Sequence, residues 1–170
     1  MLSDGYSSHL YVLGALCSYL DPTSVLEYGC GYGSTQWLLE RVPEVTSVEL
    51  DISWPRKVAD LLTDSQKDRW VVITPASELF HASTTTQRYD FILVDGGRAM
   101  DRAPVAMVCM ARQLAPTLVL HDTEERKSYG WERLVMPEGW TRWDSTRRIP
   151  WTTVLSCDSD LILKLKNLNP

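Results

Sequence analysis

A chain of 170 residues, 44% apolar and 23% charged, has the balance of an ordinary globular protein and about the length of one domain, with enough apolar residues for a core. Its net charge of -5, and a densest basic run (Arg142 to Arg148) of only three arginines around an Asp, argue against nucleic acid as a partner. No apolar run nears the roughly 18 residues of a membrane span, the N-terminus carries Asp4 and no basic start of a signal peptide, and Cys17, Cys30, Cys109 and Cys157 form no C-x-x-C pair, so we expect a cytoplasmic chain with free thiols and no zinc site.

Short strand-like runs alternate with helical patterns along the whole length, with no repeat or linker. This order predicts one α/β domain over 1–170, a Rossmann-like, mostly parallel sheet flanked by helices. Leu10 to Leu20 reads as a leading helix and Ser24 to Tyr28 as a strand running into glycines. A helix opens near Ser34, with Thr35, Leu38, Leu39 and Val42 on one face. Val45 to Leu50 is the second strand. Ser53 is expected to cap a helix with Pro55 in its first turn and Trp54, Val58 and Leu61 buried. Trp70 to Thr74 and Tyr89 to Val94 are the third and fourth strands. Asp101 is expected to cap a helix that buries Met107, Met110, Ala111 and Leu114 and stops at Pro116. Thr117 to Leu120 is the fifth strand. Thr152 to Ser156 and Leu161 to Leu165, flanking Cys157 to Asp160, read as a terminal antiparallel hairpin. Trp140 to Trp143 is left unassigned.

The strongest signal is Glu27-Tyr28-Gly29-Cys30-Gly31-Tyr32-Gly33, between a strand and a helix. Glycines let backbone approach a ligand closely, and a helix start offers unpaired N–H groups. Glu49 ends the second strand 20 residues after Gly29, where an acid accepts hydrogen bonds from a ribose. Asp51 is its rival, better suited to capping the next helix. A dinucleotide site wants G-x-G-x-x-G, which would put a glycine at Ser34; here it falls at Gly33, and Glu27 precedes the first glycine. That acid suits a ligand with a cationic amino acid end and not a pyrophosphate.

Glu27 to Gly33 with Glu49 resembles the cofactor site of class I S-adenosylmethionine-dependent methyltransferases, and the resemblance extends over nearly the whole chain in strand–helix order. It implies S-adenosyl-L-methionine as cofactor. The residues implied to bind it are Glu27, Gly29, Gly31, Gly33, Ser34, Thr35, Glu49, Ser77 and Asp95, with Ala76-Ser77-Glu78 near the adenine. The plainer alternative is a strand–turn–helix whose glycines only make the turn.

The fourth strand ends in Val94-Asp95-Gly96-Gly97-Arg98 and the fifth in Leu120-His121-Asp122, so Asp95, His121 and Asp122 are expected to converge where open α/β sheets collect chemistry. These steps, followed by Arg126 and Tyr129, resemble a loosely defined set of methyltransferases acting on hydroxyls, including those of sugars and polysaccharides. The resemblance implies O-methylation of a sugar, polysaccharide or other polar small molecule. Two arrangements stay open: His121 as a general base, its ordinary pKa of ~6.5 suiting neutral pH, or Asp95, His121 and Asp122 holding a divalent cation such as magnesium. The bland reading makes the two acids loop-capping groups and His121 structural.

Arg98, Arg102 and Arg126 are candidates to clamp a carboxylate or phosphate. Trp131, Trp140, Trp143 and Trp151 fall on the expected substrate side, to stack on an acceptor ring or to pack the core. The Asn/Asp-Pro-Pro-aromatic mark of amino-methylating enzymes is absent after the fourth strand, and no inserted lid is legible. A shallow acceptor pocket, or one completed by a second subunit, is therefore expected. The competing functions are a nicotinamide-dependent oxidoreductase and a non-catalytic S-adenosylmethionine-binding accessory protein.

Overall fold

A computed structural model describes residues 8–97 and 99–168. Seven strands form one sheet: β1 (Ser24–Tyr28), β2 (Glu44–Val48), β3 (Trp70–Ile73), β4 (Phe91–Val94), β5 (Thr117–His121), β6 (Thr141–Ser145) and β7 (Thr152–Ser156). Their spatial order is β3-β2-β1-β4-β5-β7-β6; β1 to β5 run parallel, and β7 enters antiparallel to both β5 and β6. The order reverses between β1 and β4, which opens a crevice at their carboxyl ends.

Strand alternation decides which face each site residue takes. Val25, Phe91, Leu93, Val119 and Val154 pack with α1 (Leu10–Leu20), α2 (Ser34–Leu39), α3 (Ser53–Ala59) and α7 (Ser159–Asn167). Leu26, Tyr28, Ile92, Val94, Leu118 and Leu120 pack on the opposite face, against α5 (Glu78–Thr84) and α6 (Arg102–Ala111). Continued by twos, the first set carries Glu27, Asp95 and His121 onto the α1 face. A single turn, α4 (Asp64–Lys67), sits between α3 and β3. Among the described residues, no helix is long and apolar enough to cross a membrane.

The terminal hairpin exists but is built from other residues than expected. β6 pairs with β7, and Leu161 to Leu165 lies within helix α7. Leu161, Leu163 and Leu165 alternate like a strand, yet it is Leu161, Ile162 and Leu165 that are buried, while Leu163 is exposed. Asp158 decides the outcome: its carboxylate accepts from the N–H groups of Asp160 and Leu161 at 2.9 and 3.1 Å, an N-cap. In α3 the buried positions are Pro55 and Val58, followed by Leu62, while Trp54 and Leu61 face outward. Ser53 is its first helical residue and Ile52 its N-cap position, which has no side-chain cap; just ahead of it the Asp51 carboxylate accepts the Ser53 N–H at 2.9 Å. In α6, Ala103, Ala106, Cys109 and Met110 are buried; Ala111 is exposed, Met107 is half-buried, and Asp101 makes no side-chain cap.

Candidate active site

The carboxyl ends of β1, β2 and β4 and the loop after β3 enclose a cleft of about 610 Å³. Of the expected cofactor residues, Gly29, Gly31, Ser34, Glu49 and Asp95 line it. Gly29 has a φ of +88° and crosses Gly96; a β-carbon on either would lie 2.2 Å from the other's Cα. Only paired glycines allow the β1 and β4 loops to meet so closely. Glu49 sits at the lip, accepting the Cys30 N–H at 3.2 Å and the Asp51 N–H at 2.9 Å.

Four expected residues stand elsewhere. Glu27 is fully buried behind the glycine loop, accepting from Thr35 Oγ1 and Ser47 Oγ, each at 2.6 Å. Burial raises its pKa to about 7, against the pull of those hydroxyls. Thr35 links it to the loop by accepting the Gly31 N–H at 3.0 Å. Gly33 immediately precedes α2, outside the cleft lining. Ser77 caps α5 by accepting the Phe80 N–H at 3.0 Å, while its neighbours Pro75 and Ala76 reach the cleft.

Asp95, His121 and Asp122 do come together. His121 Nδ1 lies 2.9 Å from Asp95 Oδ1 and 3.4 Å from Asp122 Oδ1. Burial lowers the His121 pKa, but its hydrogen bond with Asp95 and the charges of Asp95 and Asp122 outweigh it and hold the ring above its ordinary value. Burial raises Asp95, and the same bond and cation-forming neighbours outweigh it to hold Asp95 below the usual range. Between the two acids lies Arg102, the first residue of α6. Its Nη1 is 2.9 Å from Asp122 Oδ2 and 3.6 Å from Asp95 Oδ1, its Nη2 donates to the Asp95 carbonyl at 2.8 Å, and Nε donates to the Gly96 carbonyl at 3.0 Å. Tyr129 stacks on the guanidinium at 3.9 Å. The donor set Asp95–His121–Asp122 therefore does not suit a divalent ion: the position is already filled by a fixed positive charge, which would repel one.

Arg126 is exposed and outside the cleft lining, and Arg98 lies outside the described residues. Trp131 and Trp143 are core residues, Trp140 is half-buried, and only Trp151 of the four is exposed. The tryptophan in the cleft is Trp54, edge-on to Tyr32 with ring centroids 5.4 Å apart. It was hidden by its match to a helical apolar stripe. Ser8 and His9 were also missed. Ser8 Oγ lies 3.1 Å and His9 Nδ1 3.4 Å from His121 Nε2. The available signal was slight: His9 is one of three histidines in the chain.

No protein-family model and no curated protein matches the chain. Solved structures do. The S-adenosylhomocysteine-bound methyltransferase PaMTH1 of Podospora anserina is 15% identical, with a TM-score of 0.67 over 88% of this chain and 79% of that one. The O-methyltransferase TomG of Streptomyces achromogenes, in complex with S-adenosylmethionine, is 16% identical, with a TM-score of 0.65 over 85% and 77%. The N-methyltransferase NodS of Bradyrhizobium japonicum WM9, in complex with S-adenosylhomocysteine, is 16% identical, with a TM-score of 0.65 over 91% and 88%. Seven strands in this order, the glycine crossing and these superpositions establish that the chain has the fold of the class I S-adenosylmethionine-dependent methyltransferases.

Proposed function

We propose that the protein is an S-adenosylmethionine-dependent methyltransferase acting on a hydroxyl of a sugar, polysaccharide or other polar small molecule. The observation that carries the reading is the cleft itself. Gly29 and Gly96 clear its floor, and Glu49 in its lining has a carboxylate suited to accept hydrogen bonds from a ribose. Glu27 contributes from behind, fixing the glycine loop through Thr35. When bound, S-adenosylmethionine supplies the electrophilic methyl group. The chain must orient the acceptor and take its proton.

The Asp95–His121 pair is suited to that task. Asp95 lines the cleft and holds His121 Nδ1–H, so the neutral ring of His121, behind Asp95 and outside the cleft lining, carries its lone pair at Nε2. Ser8 Oγ, 3.1 Å from Nε2, already makes an alcohol–imidazole contact there. Arg102 holds the ends of β4 and β5 together and keeps positive charge beside the pair.

Calorimetry with S-adenosylhomocysteine, and with NAD as the competing ligand, tests the central claim. We expect heat and a raised melting temperature with the first only. On a hydroxyl acceptor found by panel screening, Asp95→Asn and His121→Ala should each lower turnover ~100-fold or more. Binding of NAD alone, or of neither ligand, refutes the reading.

A further inference from the structure

The side of His121 turned away from Arg102 holds a second cluster, and its hydrogen bonds do not close. Asp95, as a carboxylate, can only accept, so His121 presents N–H at Nδ1 and, as a neutral ring, a single lone pair at Nε2. Two groups converge on that lone pair, Ser8 Oγ at 3.1 Å and His9 Nδ1 at 3.4 Å. All three residues are buried, His9 to 2% exposure, and His9 Nε2 has no partner. With its proton on Nδ1, His9 competes with Ser8 for one acceptor. With its proton on Nε2, it buries an unsatisfied donor and turns a lone pair toward the lone pair of His121. Either tautomer leaves a buried polar atom unsatisfied, which costs free energy.

A cation between the two nitrogens removes the lone-pair clash and the competition with Ser8, and leaves only the His9 Nε2–H without a partner. Two imidazole nitrogens at ~2.0–2.1 Å from a tetrahedral ion lie about 3.4 Å apart, the separation found here. The donors of His9, Asp95 and His121 all fall within 4.8 Å of one another. Asp95 on Nδ1–H is the second partner that metal-bound histidines use to fix tautomer and ring orientation. Imidazole donors select zinc-class ions over magnesium or calcium, which want oxygen.

We propose that His9 Nδ1 and His121 Nε2 bind a zinc-class divalent cation, with Ser8 Oγ as a weaker oxygen ligand and Asp95 orienting His121. The scattered cysteines argue only against a thiolate zinc site. The ion would join the start of α1 to the end of β5. It would also take the lone pair that the proposed reaction uses, so metal loading and proton acceptance exclude each other. The site rests on its own geometry and stands whether or not the cleft binds S-adenosylmethionine.

The test titrates the chelator-treated full chain with Zn²⁺ by calorimetry and with Co²⁺ by absorption, and reads the zinc ligands by X-ray absorption. We expect one ion per chain, the intense visible bands of tetrahedral Co²⁺, nitrogen and oxygen ligands only, and no heat from Mg²⁺. His9→Ala and His121→Ala should each weaken binding ~100-fold or more, and Asp95→Asn by ~10–100-fold, the second-partner range. Thermal melts establish that each variant is folded, and the ligand spectrum of the unaltered protein needs no variant. No Zn²⁺ uptake, sulfur ligation, or affinity unchanged in folded His9→Ala overturns the site. S-adenosylhomocysteine calorimetry run in parallel reports on the methyltransferase reading separately.

Discussion

Gly29 and Gly96 touch through their backbones, so the β1 and β4 loops are locked in a crossing that no side chain can enter. A β-carbon on Gly96 would lie 2.2 Å from Gly29 Cα, 2.4 Å from its nitrogen and 2.7 Å from the Tyr28 carbonyl carbon, all of them main-chain atoms. Gly96→Ala should destabilise the fold by ~1–3 kcal/mol or more, as overpacking does, and abolish S-adenosylhomocysteine binding. Gly31 provides the contrast. A β-carbon there meets only Ser34 Oγ at 3.8 Å, ordinary contact. Gly31→Ala should therefore unfold in denaturant like the parent while losing affinity, because the new methyl enters the cleft. Equal stability of Gly96→Ala and the parent would refute the crossing.

Glu49 is positioned by its own hydrogen bonds to the N–H groups of Cys30 and Asp51. If it also holds the ribose, Glu49→Ala removes hydrogen bonds to a charged group worth ~1.5–3 kcal/mol. Affinity for S-adenosylhomocysteine should fall ~10–100-fold by calorimetry. Affinity within twofold of the parent would place the ribose elsewhere.

Arg102 is the one buried cation facing both Asp95 and Asp122 among the described residues. Removing one partner of a buried pair leaves charge uncompensated, at ~3–5 kcal/mol. Arg102→Ala should lower stability on that scale in urea unfolding. Arg102→Met, which keeps the bulk, should recover little of it if charge is what matters. Full recovery by Met would assign the role to packing against Tyr129 instead.

Much of this was legible in the sequence because local chemistry and the fold agree. The glycine turn, Glu49 at the end of β2, and the Asp95 and His121 strand ends follow from a period of two and from short loops. Misreadings arose where one pattern satisfied two structures. Leu161, Leu163 and Leu165 alternate like a strand, and the deciding signal was Asp158 ahead of them. Trp54 fits an apolar stripe, but it is exposed and lines the cleft. Arg102 was legible as a basic residue, but not as the cation between two acids, because that depends on where α6 begins relative to two strand ends. His9 meets His121 across 112 residues of chain, and no local pattern encodes that contact. The Asp158 reading has its own check. Asp158→Ala should cost ~1 kcal/mol, the usual worth of an N-cap, and a stability unchanged in urea unfolding would show that α7 does not depend on it.

Glu78 gives the protein a pH dependence opposite to that of most carboxylates. It is buried beneath Gly97, and neither carboxyl oxygen has a partner. Burial, with the charge of Glu49, raises its pKa to about 8 against the opposing pull of Arg102. The folded state therefore holds the proton more tightly than the unfolded chain, where a glutamate titrates near ~4.3. The contribution to stability is fully present below that unfolded value and is lost as pH rises toward about 8. Glu27, raised to about 7, adds a loss of the same sign that ends earlier. Above about 7 the Glu27 loss is largely complete, and the remaining losses come from Glu78 and from His121, whose ring is also held above its ordinary value, so the difference between the parent and a Glu78 variant isolates Glu78. Glu78 should contribute a loss of up to ~1.4 kcal/mol per pH unit there, and Glu78→Gln, uncharged at every pH, should remove that share of the slope. Urea unfolding at closely spaced pH values reads both slopes, and identical slopes in the two proteins would show that Glu78 is ionised throughout.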